Sequence, residues 1–265
     1  MPTEGAGTIS RIVTIAKNAF REAVRDRILY NLIVFVLLLT ASAIFLGELT
    51  AGQESRVIVN LGLSAILVFG TFISIFVGVS LVWKEIEKRT VYSIFSKPVG
   101  RGEFIIGKYL GLCATLLVNL AVMGIGVTLA LLYVGGGRQF IGPVWVSVFL
   151  IFLELTAMTA VAIMFSSFST PALSALLAFF VFVIGHFSSS LRELAQTMTS
   201  NVSKLVFEGI YYLLPNLSHF SFITETASGM TVPASMIGTA IVYAVVWDVI
   251  LLAITVVIFS RRNFK

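Results

Sequence analysis

VIVNLGLSAILVFGTFISIFVGVSLVW, residues 57–83, carries no charged side chain and stops abruptly at Lys84-Glu85-Ile86-Glu87-Lys88-Arg89. About 20 apolar residues in a helix cross the hydrocarbon of a bilayer, and this stretch exceeds that. Working outward, residues 28–46, 109–134, 144–165 and 236–259 meet the same test, and 171–187 sits near its lower limit. Pro171 suits the first turn of a helix, where its missing N–H costs nothing. None of these stretches alternates in the period-two manner of a barrel strand. The sequence therefore predicts an all-α membrane protein with six transmembrane helices in one domain, residues 1–265.

Composition agrees. Of 265 residues 58% are hydrophobic and 12% charged, against roughly 25% charged in an ordinary soluble domain. A soluble fold could not hide that much apolar side chain. The single cysteine, Cys113, rules out an internal disulfide. His186 and His219 are too few and too distant to suggest a metal site. The net charge of +5 is not a nucleic-acid signal, because the basic residues sit at membrane borders.

Those borders set the topology. Lys and Arg concentrate in cytoplasmic segments. Arg11, Lys17, Arg21, Arg25 and Arg27 precede the first span. Lys84, Lys88, Arg89, Lys97, Arg101 and Lys108 separate the second from the third, and Arg261, Arg262 and Lys265 follow the last. Only Arg56, Arg138, Arg192 and Lys204 fall on the other side. Six spans with both ends in the cytoplasm satisfy this pattern. The basic start, apolar run and Ala41-Ser42-Ala43 imitate a signal peptide, but the basic region is too long for one. Residues 8–27 read as an amphipathic helix lying in the interface, its cations near anionic lipid headgroups. The outer loop, 188–235, contains an apolar and aromatic stretch, Leu205 to Leu214, too short to span. Asn201-Val202-Ser203 and Asn216-Leu217-Ser218 match the short glycosylation pattern, which arises often by chance.

Residues 84–108 form a cytoplasmic hairpin. Glu85 and Arg89 are spaced for a helical ion pair. Lys97-Pro98 ends that helix, and Gly100 and Gly102 permit a tight turn around Arg101. Gly102 to Lys108 has the spacing of a phosphate-binding loop, but Tyr109 stands where Ser or Thr would hold magnesium and no strand precedes it. The chain is accordingly expected to bind no nucleotide itself.

At these residues the sequence resembles the permease subunits of type-2 ABC (ATP-binding cassette) exporters, a family that includes permeases for multi-copper enzyme maturation. The matching strings are Glu85-Ile86-Glu87-Lys88-Arg89-Thr90, Ser96-Lys97-Pro98-Val99-Gly100-Arg101 and Gly107-Lys108, with Tyr211-Tyr212-Leu213-Leu214-Pro215-Asn216 in the outer loop. The resemblance implies an interfacial N-terminal helix, six spans, a coupling hairpin after the second span and an outer helical insertion before the sixth. It implies a non-enzymatic subunit of the cytoplasmic (inner) membrane that pairs with a second permease copy. ATP and magnesium would be held by separate ATPase chains. Glu85, Glu87, Lys88, Arg89, Thr90, Pro98 and Arg101 are the coupling residues it nominates.

Within the spans, Glu154 and Asp248 are the ionisable groups of note. Each costs roughly 2.5–3.5 kcal/mol to insert, and no Lys or Arg lies within a span to pair with them. They line a pathway or glue two helices through hydrogen bonds. Gly70, Ser74 and Gly78 recur at four-residue spacing, a pattern that admits close helix contact, as a dimer seam or an internal one. His186 beside Ser188 to Ser190 lacks the third group of a hydrolase. The rival readings are a proton-coupled carrier using Glu154 and Asp248, and a non-transporting scaffold or maturation factor. The sparsely charged spans favour lipid-like or drug-like cargo over ions.

Overall fold

A computed structural model describes residues 7–25, 50, 52–87, 100–134, 137–188 and 201–261, with scattered positions between 30 and 45 and at 190 and 193. The elements are α1 (Thr8–Val24), α2 (Glu54–Glu87), α3 (Arg101–Val134), α4 (Ile141–Ser166), α5 (Pro171–His186), α6 (Asn201–Leu213), α7 (Ile223–Ala227) and α8 (Ala234–Arg261). Two 3-10 turns, Arg138–Phe140 and Leu217–Phe220, punctuate them. Among the described residues there is no strand.

Among the described residues four helices, over Glu54–Lys84, Arg101–Val134, Arg138–Ser166 and Ala234–Arg261, are long and apolar enough to cross a membrane, and Pro171–His186 is a shorter apolar helix. The first expected span, 28–46, lies largely outside the described residues. Pro171 occupies the start of α5, following an extended Thr170. Both α2 and α3 have 34 residues, which at 1.5 Å per residue is about 51 Å, well beyond a hydrocarbon core of about 30 Å. The predicted tight turn around Arg101 is corrected. Helix α3 starts at Arg101 and runs unbroken through Gly102 to Val134.

The centre is α4. Leu150, Leu155, Ala157, Met158, Ala160 and Ile163 are all buried there, with α2, α3, α5 and α8 around it. Small residues make the approach possible, because van der Waals contact replaces the hydrophobic effect between helices in lipid. Gly70 faces the tip of Leu155, and Gly78 faces the Cβ of Ala162. At the hairpin end, the Ser166 hydroxyl donates to the Val79 carbonyl at 2.9 Å. Helix α8 presents Val242, Val245, Val246 and Val249 outward, a face suited to lipid.

The opposite end is closed by the segment 215–229. The Asn216 N–H donates to the Tyr243 hydroxyl at 2.7 Å, and the Asn216 side chain accepts from the Ser218 N–H at 3.1 Å. Ser147 and Thr226 share a 2.7 Å hydroxyl contact, and Leu217 packs against Gly185. Helix α6, by contrast, leaves Val202, Leu205, Val206, Tyr212 and Leu213 exposed.

Candidate functional site

The start of α3 is a joint between three parts of the chain that are remote in sequence. Gly100 precedes α3, and its N–H donates to Glu103 Oε2 at 3.0 Å while its carbonyl accepts from the Phe104 N–H. That is half of a capping box, in which a third-position glutamate satisfies the donor at the cap. The same carboxylate accepts from Arg11 of α1, from Nη2 at 2.8 Å and from Nε at 3.0 Å. This two-pronged geometry is the strong form of a carboxylate pair. The bond from Arg11, followed by the one from Gly100, holds the Glu103 carboxyl below its ordinary range, and the same bond raises the Arg11 guanidinium.

A second pair, Lys108 Nζ with Glu22 Oε2 at 3.2 Å, fastens the other end of α1. Lys108 also lies 5.8 Å from the Phe104 ring centroid. Between the two pairs the helices touch at backbone distance. A Cβ on Gly107 would meet Ile15, and one on Gly111 would meet the Ala16 carbonyl and Ala19 Cβ. Glycines four apart thus give α1 its seat on α3.

The third part is α8. Arg101 Nη1 donates to the Phe259 carbonyl at 3.1 Å and to the Ser260 carbonyl. A guanidinium there serves the unpaired carbonyls of a helix end and opposes its dipole. Phe104 and Phe259 stack behind it, with ring centroids 6.0 Å apart and planes at 18°. The start of α3, helix α1 and the end of α8 are thus one connected piece.

The coupling residues named from sequence divide accordingly. Arg101 lies in this joint. Glu85 and Glu87 are in the last turns of α2. Lys88, Arg89, Thr90 and Pro98 lie outside the described residues.

Inside the bundle, Glu154 is fully buried, and His186 Nδ1 approaches its Oε1 at 3.6 Å. Among the described residues neither Glu154 oxygen nor either His186 nitrogen has a hydrogen-bond partner. His186 packs on Phe182, with centroids 4.6 Å apart. Asp248 faces Tyr109 and Thr156, with Oδ1 unpaired. Glu154 thus neighbours His186 of α5, whereas Asp248 of α8 faces Tyr109 of α3 and Thr156 of α4. Gly70, Ser74 and Gly78 pack inside the chain, Ser74 being fully buried with its hydroxyl donating to the Thr71 carbonyl at 2.9 Å. No group of three or more metal-ligating side chains occurs among the described residues.

The sequence profile of a family described as ABC-2 family transporter protein matches residues 13–264. The chain belongs to this family. No curated protein gives a significant match. An ABC-2 permease with several apolar helices of spanning length is an integral membrane component of an ABC transporter, and such a component works with ATPase partners.

What sequence reasoning missed in this ABC-2 chain is the joint. Arg11 and Lys108 counted as border charges, and their pairing with Glu103 and Glu22 across about ninety residues of chain leaves no local trace. Gly107 and Gly111 did carry a signal, the four-residue spacing recognised at Gly70 and Gly78. His186 was weighed as a nucleophile's base and not as the neighbour of Glu154.

Proposed function

We propose that this chain is the pathway-forming permease of an ABC exporter, driven through the hairpin 84–108 by separate ATPase subunits. It would sit in the inner membrane as six spans with both termini cytoplasmic, paired with a second permease copy. ATP and magnesium belong to the partner, and this chain carries no catalytic residue. The observation that supports the reading is the joint. A force applied to the hairpin enters α3 at Arg101 and is passed at once to α1 through Glu103 and Lys108, and to α8 through Arg101. Rigid-body motion of connected helices is the ordinary means of alternating access. A loop serving only to fix topology would need none of these long-range bonds.

Glu85 and Glu87, on the last turns of α2, are the proposed contacts to the ATPase, with Lys88, Arg89, Thr90 and Pro98 completing the docking tip. The test is charge reversal, Glu85→Lys with Glu87→Lys, in the permease co-expressed with its ATPase. Membrane insertion should be normal, whereas co-purification of the ATPase and its stimulation by the permease should fall at least tenfold. Unchanged stimulation would overturn the coupling role. Topology has its own check. A cysteine placed at position 97 in a Cys113→Ala background should react with an impermeant maleimide in inverted vesicles and not in intact cells.

A further inference from the structure

We infer that α1 carries a binding edge for the headgroups of anionic phospholipids, formed by Lys17, Arg21 and Arg25. At about 100° per residue, α1 divides into three sectors. Ile12, Ile15, Ala16, Ala19 and Ala23 form the sector seated on α3, where Ala19 and Ala23 are buried and Gly107 and Gly111 admit them. The next sector holds Ile9, Val13, Phe20 and Val24. Ile9 and Val13 are 78% and 58% exposed, with no helix over them among the described residues, while Phe20 and Val24 are half-buried. Beyond it come Lys17, Arg21 and Arg25 at successive four-residue steps, all exposed.

The order of the sectors identifies the occupant. An apolar stripe flanked on one side by cations and on the other by a protein contact is the arrangement of a helix half-sunk in a leaflet. Its cations are then at headgroup depth, with their stems along the apolar boundary. Arg21 and Arg25, with Asn18 and Glu22, line a hollow of about 510 Å³ on this edge. Glu22 does not repel an anion there as a bare carboxylate would, because Lys108 pairs with it at 3.2 Å. The acids of α1 and its seat are paired in this way, Glu103 with Arg11 and Glu22 with Lys108, while the three edge cations have no acidic partner among the described residues. A dense sheet of phosphate is the complement of such an edge, each cation near the surface being worth about 1 kcal/mol.

The measurement is lipid retention by the purified full chain. Protein equilibrated in mixed micelles of equal phosphatidylglycerol and phosphatidylcholine is repurified, and its bound lipids are counted by mass spectrometry. Phosphatidylglycerol should be enriched, and the enrichment should fall roughly fivefold for each cation removed in Lys17→Gln, Arg21→Gln and Arg25→Gln. The variant Arg21→Lys with Arg25→Lys should retain most of it, which separates loss of charge from loss of fold. Enrichment that survives the triple substitution would overturn the proposal. So would an edge that becomes shielded from solvent only when the ATPase is bound, since the cations would then belong to a protein interface. ATPase stimulation does not enter this readout, so it stands or fails apart from the coupling reading.

Discussion

Glu103 serves as a cap for α3 and as the acceptor for Arg11, so its protonation acts on two elements together. Its carboxyl is held below its ordinary value of 4.5. A carboxylate with a depressed folded pKa stabilises fully above the unfolded value and loses that contribution as the pH falls through the lower, folded one. Protection factors across Thr8–Val24, from amide exchange, should thus be constant above about pH 4.5 and drop below it. Glu103→Gln should be low throughout and show no step. At Glu154 the logic differs, because a buried group without a hydrogen bond is costly whatever its charge. Glu154→Leu, which removes a buried carboxyl that makes no hydrogen bond, should raise stability by about 1–3 kcal/mol in thermal unfolding. Joining it to His186→Leu should keep or extend that gain, as replacing a buried pair by apolar groups often does. Both acids of the spans were legible as expensive residues. Their partners were not, since a histidine thirty-two positions away on another helix is brought near only by packing.

Helices were the most legible level, and their ends the least. Apolar length alone located α2, α3, α4, α5 and α8, because lipid demands it. It could not register that α3 begins eight residues before its long apolar stretch, since the first two turns are held by Gly100, Glu103 and Arg101 together with only two buried apolar side chains, Phe104 and Ile105. Small residues at four-residue spacing mark close contacts in two places, and the structure ranks them. At Gly70 the obstacle to a side chain is the movable tip of Leu155, whereas at Gly111 it is the Ala16 carbonyl of a docked backbone. Gly111→Ala should therefore destabilise more than Gly70→Ala, by about 1–3 kcal/mol as overpacking typically does. The extra loss should appear as faster exchange in α1 and not in α4.

Across the whole chain the two ends of the bundle are built differently. The far end is closed by a short insertion with neutral hydrogen bonds, Asn216 to Tyr243 and Ser147 to Thr226. The hairpin end is held by charge, with Arg11, Glu22, Arg101, Glu103 and Lys108 in contacts that join residues 8–24, 101–111 and 259–260. High salt screens exposed charge far more than neutral bonds, so titrating salt should loosen α1 while leaving 215–229 protected, and exchange kinetics would show it. The contact between Arg101 and the last turn of α8 has a practical corollary. On the proposed coupling role, anything fused after Lys265, such as a fluorescent protein or an affinity tag, is tethered within a few residues of the joint through which the ATPase would act. A bulky fusion there is a weight on the crank. Turnover measured on such a fusion should rise when the tag is cleaved off, even though the tag touches neither cargo nor nucleotide.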